Sequence, residues 1–145
     1  MRLLDANLLI YVFDTSSEMH AKAKAWMERI YVADDVIGIP RLAVLAFVRI
    51  TTTPRIMQTP ATPQEALARM EALLAHPKTA VIEAGIGHWG IFRKLVSDGG
   101  IYGPAVTDAH LAAIAIEHGA ILCSHDYGFR RFVGLKFENP LSSSS

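Results

Sequence analysis

Short apolar segments alternate along this chain with longer stretches of helical periodicity, and that alternation most narrows what the chain can fold into. "RLLD", Val36 to Ile39 in "DDVIGIP", "TAVIEAG" and "AILCSH" read as strands, and "LKFENP" as an edge strand. Between them, residues 6 to 13 read as a helix entered directly from the first strand, and "SSEMHAKAKAWMERIYV" as a helix with a serine start and Ala23, Trp26, Met27 and Ile30 on one face. Pro40 suits the first turn of a helix through "RLAVLAFVRITT". Prolines bracket "TPATPQEALARMEALLAHP", whose apolar face is read as Leu67, Met70, Leu73 and Leu74. "HWGIFRKLVSDGG" and "PAVTDAHLAAIAIEHG" are the last long helices, the latter with a threonine before it and Gly119 after it, and "GFRRF" is a helical turn. Strands that alternate with helices build a parallel sheet covered on both faces, so the expected fold is a three-layer α/β/α domain. The 145 residues suit one domain, taken as residues 1 to 141, with serines 142 to 145 as a flexible tail.

Composition then removes several classes of function. No apolar stretch approaches the roughly 18 residues that span a bilayer. "MRLLDANLLIYVFD" also lacks a cleavable leader pattern, so the expectation is a cytoplasmic protein with no membrane partner. The single cysteine, Cys123, excludes an internal disulfide and a cysteine-based zinc site. Fourteen Lys and Arg balance fourteen Asp and Glu, so any nucleic-acid contact has to be local.

"LLDANLLI" sets an aspartate in an apolar run, where an ionised carboxylate must reach water or meet a cation. Ligands of open parallel sheets bind beyond the carboxyl ends of the strands. Asp5 ends the first strand, Asp126 follows "AILCS", and Asp108 lies in the first turn of its helix in line with Ala112 and Ala115. Three carboxylates brought to one rim repel one another, and a divalent cation relieves that repulsion. Oxygen ligands without cysteine or histidine spacing favour Mg²⁺ or Mn²⁺. Taken singly, Asp108 also suits a helix-dipole role and Asp126 a turn role.

"LLDANLLIYVFD", "VTDAHLAAIAIEHGAILCSHD" and "GLKFENPL", with "FVRITTTPRI" and "HWGIFRKL" between them, resemble the PIN-domain ribonucleases, in particular the VapC-type toxins of bacterial toxin–antitoxin pairs. The resemblance runs over essentially the whole chain. It implies a three-layer PIN-like fold and a metal-dependent endoribonuclease whose acids hold Mg²⁺ or Mn²⁺ and which leaves a 5′-phosphate and a 3′-hydroxyl. By position the first, third and fourth family acids are Asp5, Asp108 and Asp126, with Asn7, Thr107 and Ser124 at the supporting polar positions. The second acid, usually a glutamate, is replaced here by Ala46, and Gly128 stands where the family often has a further acid. Arg49, Arg55, Arg130 and Arg131 are the candidate RNA contacts. The resemblance also implies a cognate VapB-type antitoxin and a homodimer. Ala46 keeps a second reading open, a non-catalytic PIN-like module that binds a protein partner or RNA. A phosphoacceptor receiver domain would need an acidic pair near Asp5 and a later lysine, and no acid pairs with Asp5 in the sequence.

Overall fold

The computed structural model describes residues 1–142; Ser143 to Ser145, most of the expected tail, lie outside the described residues. In chain order the elements are β1 (Arg2–Leu4), α1 (Ala6–Phe13), α2 (His20–Val32), β2 (Ile37–Pro40), α3 (Arg41–Thr51), α4 (Pro63–Leu74), β3 (Thr79–Ile82), α5 (His88–Gly99), α6 (Ala105–Glu117), β4 (Ile121–Cys123), a short 3-10 turn (Tyr127–Arg131) and β5 (Lys136–Glu138). The sheet runs β3-β2-β1-β4-β5 and every pairing is parallel. This is the expected α/β/α arrangement, with β5 on an edge. No helix among the described residues is long and apolar enough to cross a membrane.

The period-two side-chain alternation of the strands divides the core into two layers. Leu4, Ile37, Ile39 and Cys123 pack with α1 to α4 around Trp26, Met27, Phe47 and Met70. Leu3, Ile82 and Leu122 face the other way, onto α6, Phe129 and Phe132, with α5 outside them. The sheet is closely covered. A Cβ added to Gly38 would stand 2.7 Å from Ile82 Cγ1 and 3.0 Å from Leu3 Cδ1, so this central strand position admits no side chain without displacement.

Four local readings need correction. Helix α2 begins at His20 rather than at the serines, because Asp14 Oδ1 takes up Ser16 N (3.1 Å) and Ser16 Oγ (2.6 Å) in the turn after α1. Thr107 lies inside the first turn of α6 rather than before it: its N–H already bonds Pro104 O (3.2 Å), and no side chain caps the helix. Pro40 closes β2 in an extended conformation, and α3 starts one residue later. In α4 the buried positions are Ala66 and Met70, with Leu73 and Leu74 partly buried, whereas Leu67 is exposed: the buried face is centred on the Ala66–Met70 line, one residue round from Leu67. Gly119 does end α6, at φ 62°, where a side chain would be strained.

Candidate functional site

Because β1 and β4 are parallel neighbours, their carboxyl ends open on the same edge of the sheet. Asp5 follows β1 immediately, its N–H still bonded to Cys123 O (3.0 Å), and Asp126 follows β4 after two residues. Asp5 is also the N-cap of α1: its Oδ1 accepts from Ala6 N (2.8 Å). That double role, strand end and helix start, accounts for a carboxylate amid apolar neighbours.

Ser124 ties the two acids together. Its Oγ donates to Asp5 Oδ2 (2.7 Å) and accepts from Asn7 Nδ2 (3.1 Å) and from Asp126 N (3.1 Å). Asn7 Oδ1 in turn accepts from His125 N (3.4 Å). Asp126 Oδ1 accepts from Gly128 N (2.8 Å) and so caps the 3-10 turn, the turn role it was also given from sequence. The third acid reaches the rim from α6, where Asp108 Oδ2 accepts from Arg131 Nη2 (3.0 Å).

The charge of Asp126 reaches both Asp5 and Asp108, and that of Asp5 reaches Asp108. Burial raises the Asp5 carboxyl above the usual carboxylate range; the bonds from Ser124 and Ala6 oppose the rise, and the charge of Asp126 adds to it. Asp108 is likewise raised, by burial and then by Asp126, with Arg131 opposing and Asp5 adding. Protonation of either group therefore favours the folded state. The stability each contributes is full below its unfolded pKa and is lost as pH rises through its raised folded pKa. Among the described residues, no three His, Cys, Asp or Glu side chains are grouped to hold a metal ion as they stand. The donor chemistry nonetheless suits a hard divalent cation: all three are carboxylates, and Arg131 on Asp108 is the one cation paired with them among the described residues.

The other expected residues divide. Arg131 is at the site, on Asp108, and Arg130 beside it lies over the Tyr127 ring (4.3 Å to the centroid). Arg49 in the last turn of α3 and Arg55 after it are exposed and form no ion pair among the described residues. Thr107 is exposed and, among the described residues, its side chain makes no hydrogen bond. Ala46 is half-buried against the core layer of α1 to α4. The nearest substitutes for the missing acid are committed elsewhere, Glu83 to Arg41 (2.7 Å) and Glu117 to Gly85 N (2.7 Å). Asn139 went unread: buried, it accepts from Leu141 N (3.0 Å) and contacts His125 Nδ1 (3.2 Å), holding the residue before Asp126. Its only sequence signal, an asparagine before proline, is that of an ordinary turn.

Ser124→Ala tests the hub. It leaves Asn7 Nδ2 and Asp126 N without their acceptor and removes the bond that lowers Asp5. The expected result is a loss of about 1–3 kcal/mol in urea unfolding and a further rise of the Asp5 pKa followed by NMR. An unmoved Asp5 titration would mean that Ser124 only fills space.

The PIN-domain family matches residues 2–135. The chain is 36% identical over 145 residues to VapC ribonuclease Mb2897 of Mycobacterium bovis, covering 100% of this chain and 99% of that protein. It is 32% identical over 140 residues to ribonuclease VapC37 of Mycobacterium tuberculosis, with 97% of each covered. Among solved structures, VapBC2 from Rickettsia felis bound to a DNA fragment from its promoter superposes with a TM-score of 0.72 at 15% identity, over 95% of this chain and 97% of that one. VapC20 of Mycobacterium tuberculosis, a sarcin-ricin loop cleaving toxin, superposes at 0.68 and 12% identity, over 94% and 99%. At such identities the two superpositions establish the shared fold.

Proposed function

Since the chain belongs to the PIN-domain family and is homologous over its full length to VapC ribonucleases, we propose that it is a metal-dependent endoribonuclease, the toxin of a toxin–antitoxin pair acting in the cytoplasm. The observation that supports this reading is that Ser124 bridges Asp5 and Asp126 at the carboxyl edge of the sheet, while Asp108, from α6, holds Arg131 at the end of the turn that Asp126 caps. Asp5, Asp108 and Asp126 would hold Mg²⁺ or Mn²⁺. Such an ion, when bound, polarises a phosphodiester and lowers the pKa of an attacking water. The protein's own part is positional. Ser124, locked by Asn7, orients Asp5, while the cap on Gly128 N orients Asp126. Thr107, in the first turn of α6, is assigned a supporting polar role beside Asp108, and Arg49, Arg55, Arg130 and Arg131 are assigned to the RNA side of the rim, where phosphates need compensating charge.

The partner is assigned as a cognate VapB-type antitoxin, and the assembly as a homodimer. Solved VapBC complexes from Rickettsia felis and Salmonella typhimurium, each bound to DNA, share this fold and support the antitoxin assignment.

The test is incubation of the purified protein with a structured RNA in Mn²⁺, with and without EDTA, followed by analysis of the new ends. Cleavage leaving 5′-phosphates, stopped by EDTA, is expected. RNA binding without cleavage, and no Mn²⁺ site dependent on Asp5 in calorimetry, would favour the binding-module reading that Ala46 supports.

A further inference from the structure

The 3-10 turn Tyr127–Arg131 delivers an acid at its start and a base at its end to the same rim. Asp126 caps it, and Arg131, its last residue, reaches across to Asp108. Around Gly128 the two come close: a Cβ there would stand 3.0 Å from Asp126 Oδ1 and 3.6 Å from Arg131 Nη2. Glycine leaves that gap open. The guanidinium also lies over the Phe132 ring, 5.2 Å from its centroid, which supports it from below. Arg131 therefore supplies positive charge to a rim of three carboxylates, and it does so by occupying an oxygen of Asp108.

An ion pair between half-exposed side chains is weak and screened, so it yields readily to a stronger competitor. A divalent cation taken up by Asp108 makes Arg131 redundant as a counter-ion. The released guanidinium stays at the rim, supported by Phe132, with a forked donor set suited to a phosphate.

On the reading that this rim is a metal-dependent ribonuclease site, we propose that Arg131 is a phosphate-positioning residue held on Asp108 in the metal-free protein and released to the RNA phosphate when the cation binds. Metal and RNA then bind with positive cooperativity, because the cation frees the group that RNA requires. The proposal makes opposite demands on one side chain. Arg131 competes with metal, yet assists cleavage.

Calorimetry with Mn²⁺ alone and cleavage of a hairpin RNA separate the two roles. Arg131→Gln is expected to tighten Mn²⁺ binding by about threefold while lowering cleavage at saturating Mn²⁺ by about fivefold. Lys94→Gln removes a charge from the groove that Arg131 also lines and leaves the pair intact; it should leave Mn²⁺ affinity unchanged. Arg131→Lys, which keeps charge without the fork, should restore Mn²⁺ affinity but not cleavage, and guards against a folding defect in the glutamine variant. Independently of activity, addition of Mg²⁺ should move the Arg131 side-chain NMR signal toward its position in Asp108→Ala, which has no acceptor for the guanidinium. Unchanged Mn²⁺ affinity in Arg131→Gln, cleavage that rises with it, or an Arg131 signal blind to Mg²⁺ while those of Asp5 and Asp126 move, would each overturn the proposal. If the signals of Asp5 and Asp126 do not move either, the metal-site reading fails first and the proposal falls with it.

Discussion

Asp108→Asn is expected to remove Mn²⁺ binding from calorimetry and to lower RNA cleavage by about a thousandfold, while the fold is kept and the metal-free melting temperature does not fall. The change preserves shape and a carbonyl oxygen for Arg131 but deletes one charge from the rim. Since burial and Asp126 hold the Asp108 carboxyl above its usual range, its ionised form is a burden on the metal-free protein, and asparagine mimics the favoured neutral form. The sign follows from linkage. The variant should be at least as stable as the parent above the raised pKa of Asp108, and that advantage should vanish as pH falls below the usual carboxylate range. Weakening of the ion pair with Arg131 to a neutral hydrogen bond opposes this gain, but the pair is half-exposed and screened. Circular dichroism melts across pH, with Mn²⁺ calorimetry and an RNA cleavage time course, check each part. Cleavage at the parental rate would return Asp108 to a helix-dipole role.

Ala46→Glu should act in the opposite sense, tightening Mn²⁺ binding and raising cleavage by about tenfold, or about 1.4 kcal/mol. By the family pattern position 46 is that of the second acid, and Ala46 is half-buried on α3 against the core layer that includes Leu4 and Ala6, so a glutamate there is expected to add a fourth carboxylate to the set. In the metal-free state the substitution costs stability, because a half-buried charge joins like charges. Metal then restores more than it does in the parent. Thermal melts with and without Mn²⁺ should give a larger metal-induced shift for the variant. Equal shifts and equal cleavage would make position 46 ordinary helix packing.

The reach of the primary structure differs between the two halves of the site. Asp5 and Asp126 can be placed from local signals alone, since Asp5 directly follows one apolar strand, Asp126 comes two residues after another, and parallel strands end on one edge. Ser124 and Asn7, carried over from the family pattern, meet one another at 3.1 Å between Asp5 and Asp126. Helix starts are less legible where a polar residue has two local uses. Ser16 suits a cap for α2 but bonds Asp14, and Thr107 suits a cap for α6 but sits within it. Both outcomes are decided by fractions of a hydrogen bond's energy.

Taken by itself, then, the sequence determined the parallel α/β architecture and the sheet edge at which Asp5 and Asp126 lie, because periodicity and strand-end position are properties of contiguous residues. Only the tertiary structure decided how charge is shared there. Arg131 meets Asp108 across 23 positions of sequence, Glu83 goes to Arg41 across 42, and Glu117 is spent on the loop before α5 across 32. Such pairings depend on how a turn or helix end is set against the packed core, and no spacing along the chain encodes which acid finds which base. The fold is repeated in every strand and helix, whereas the state of the site hangs on a few single contacts.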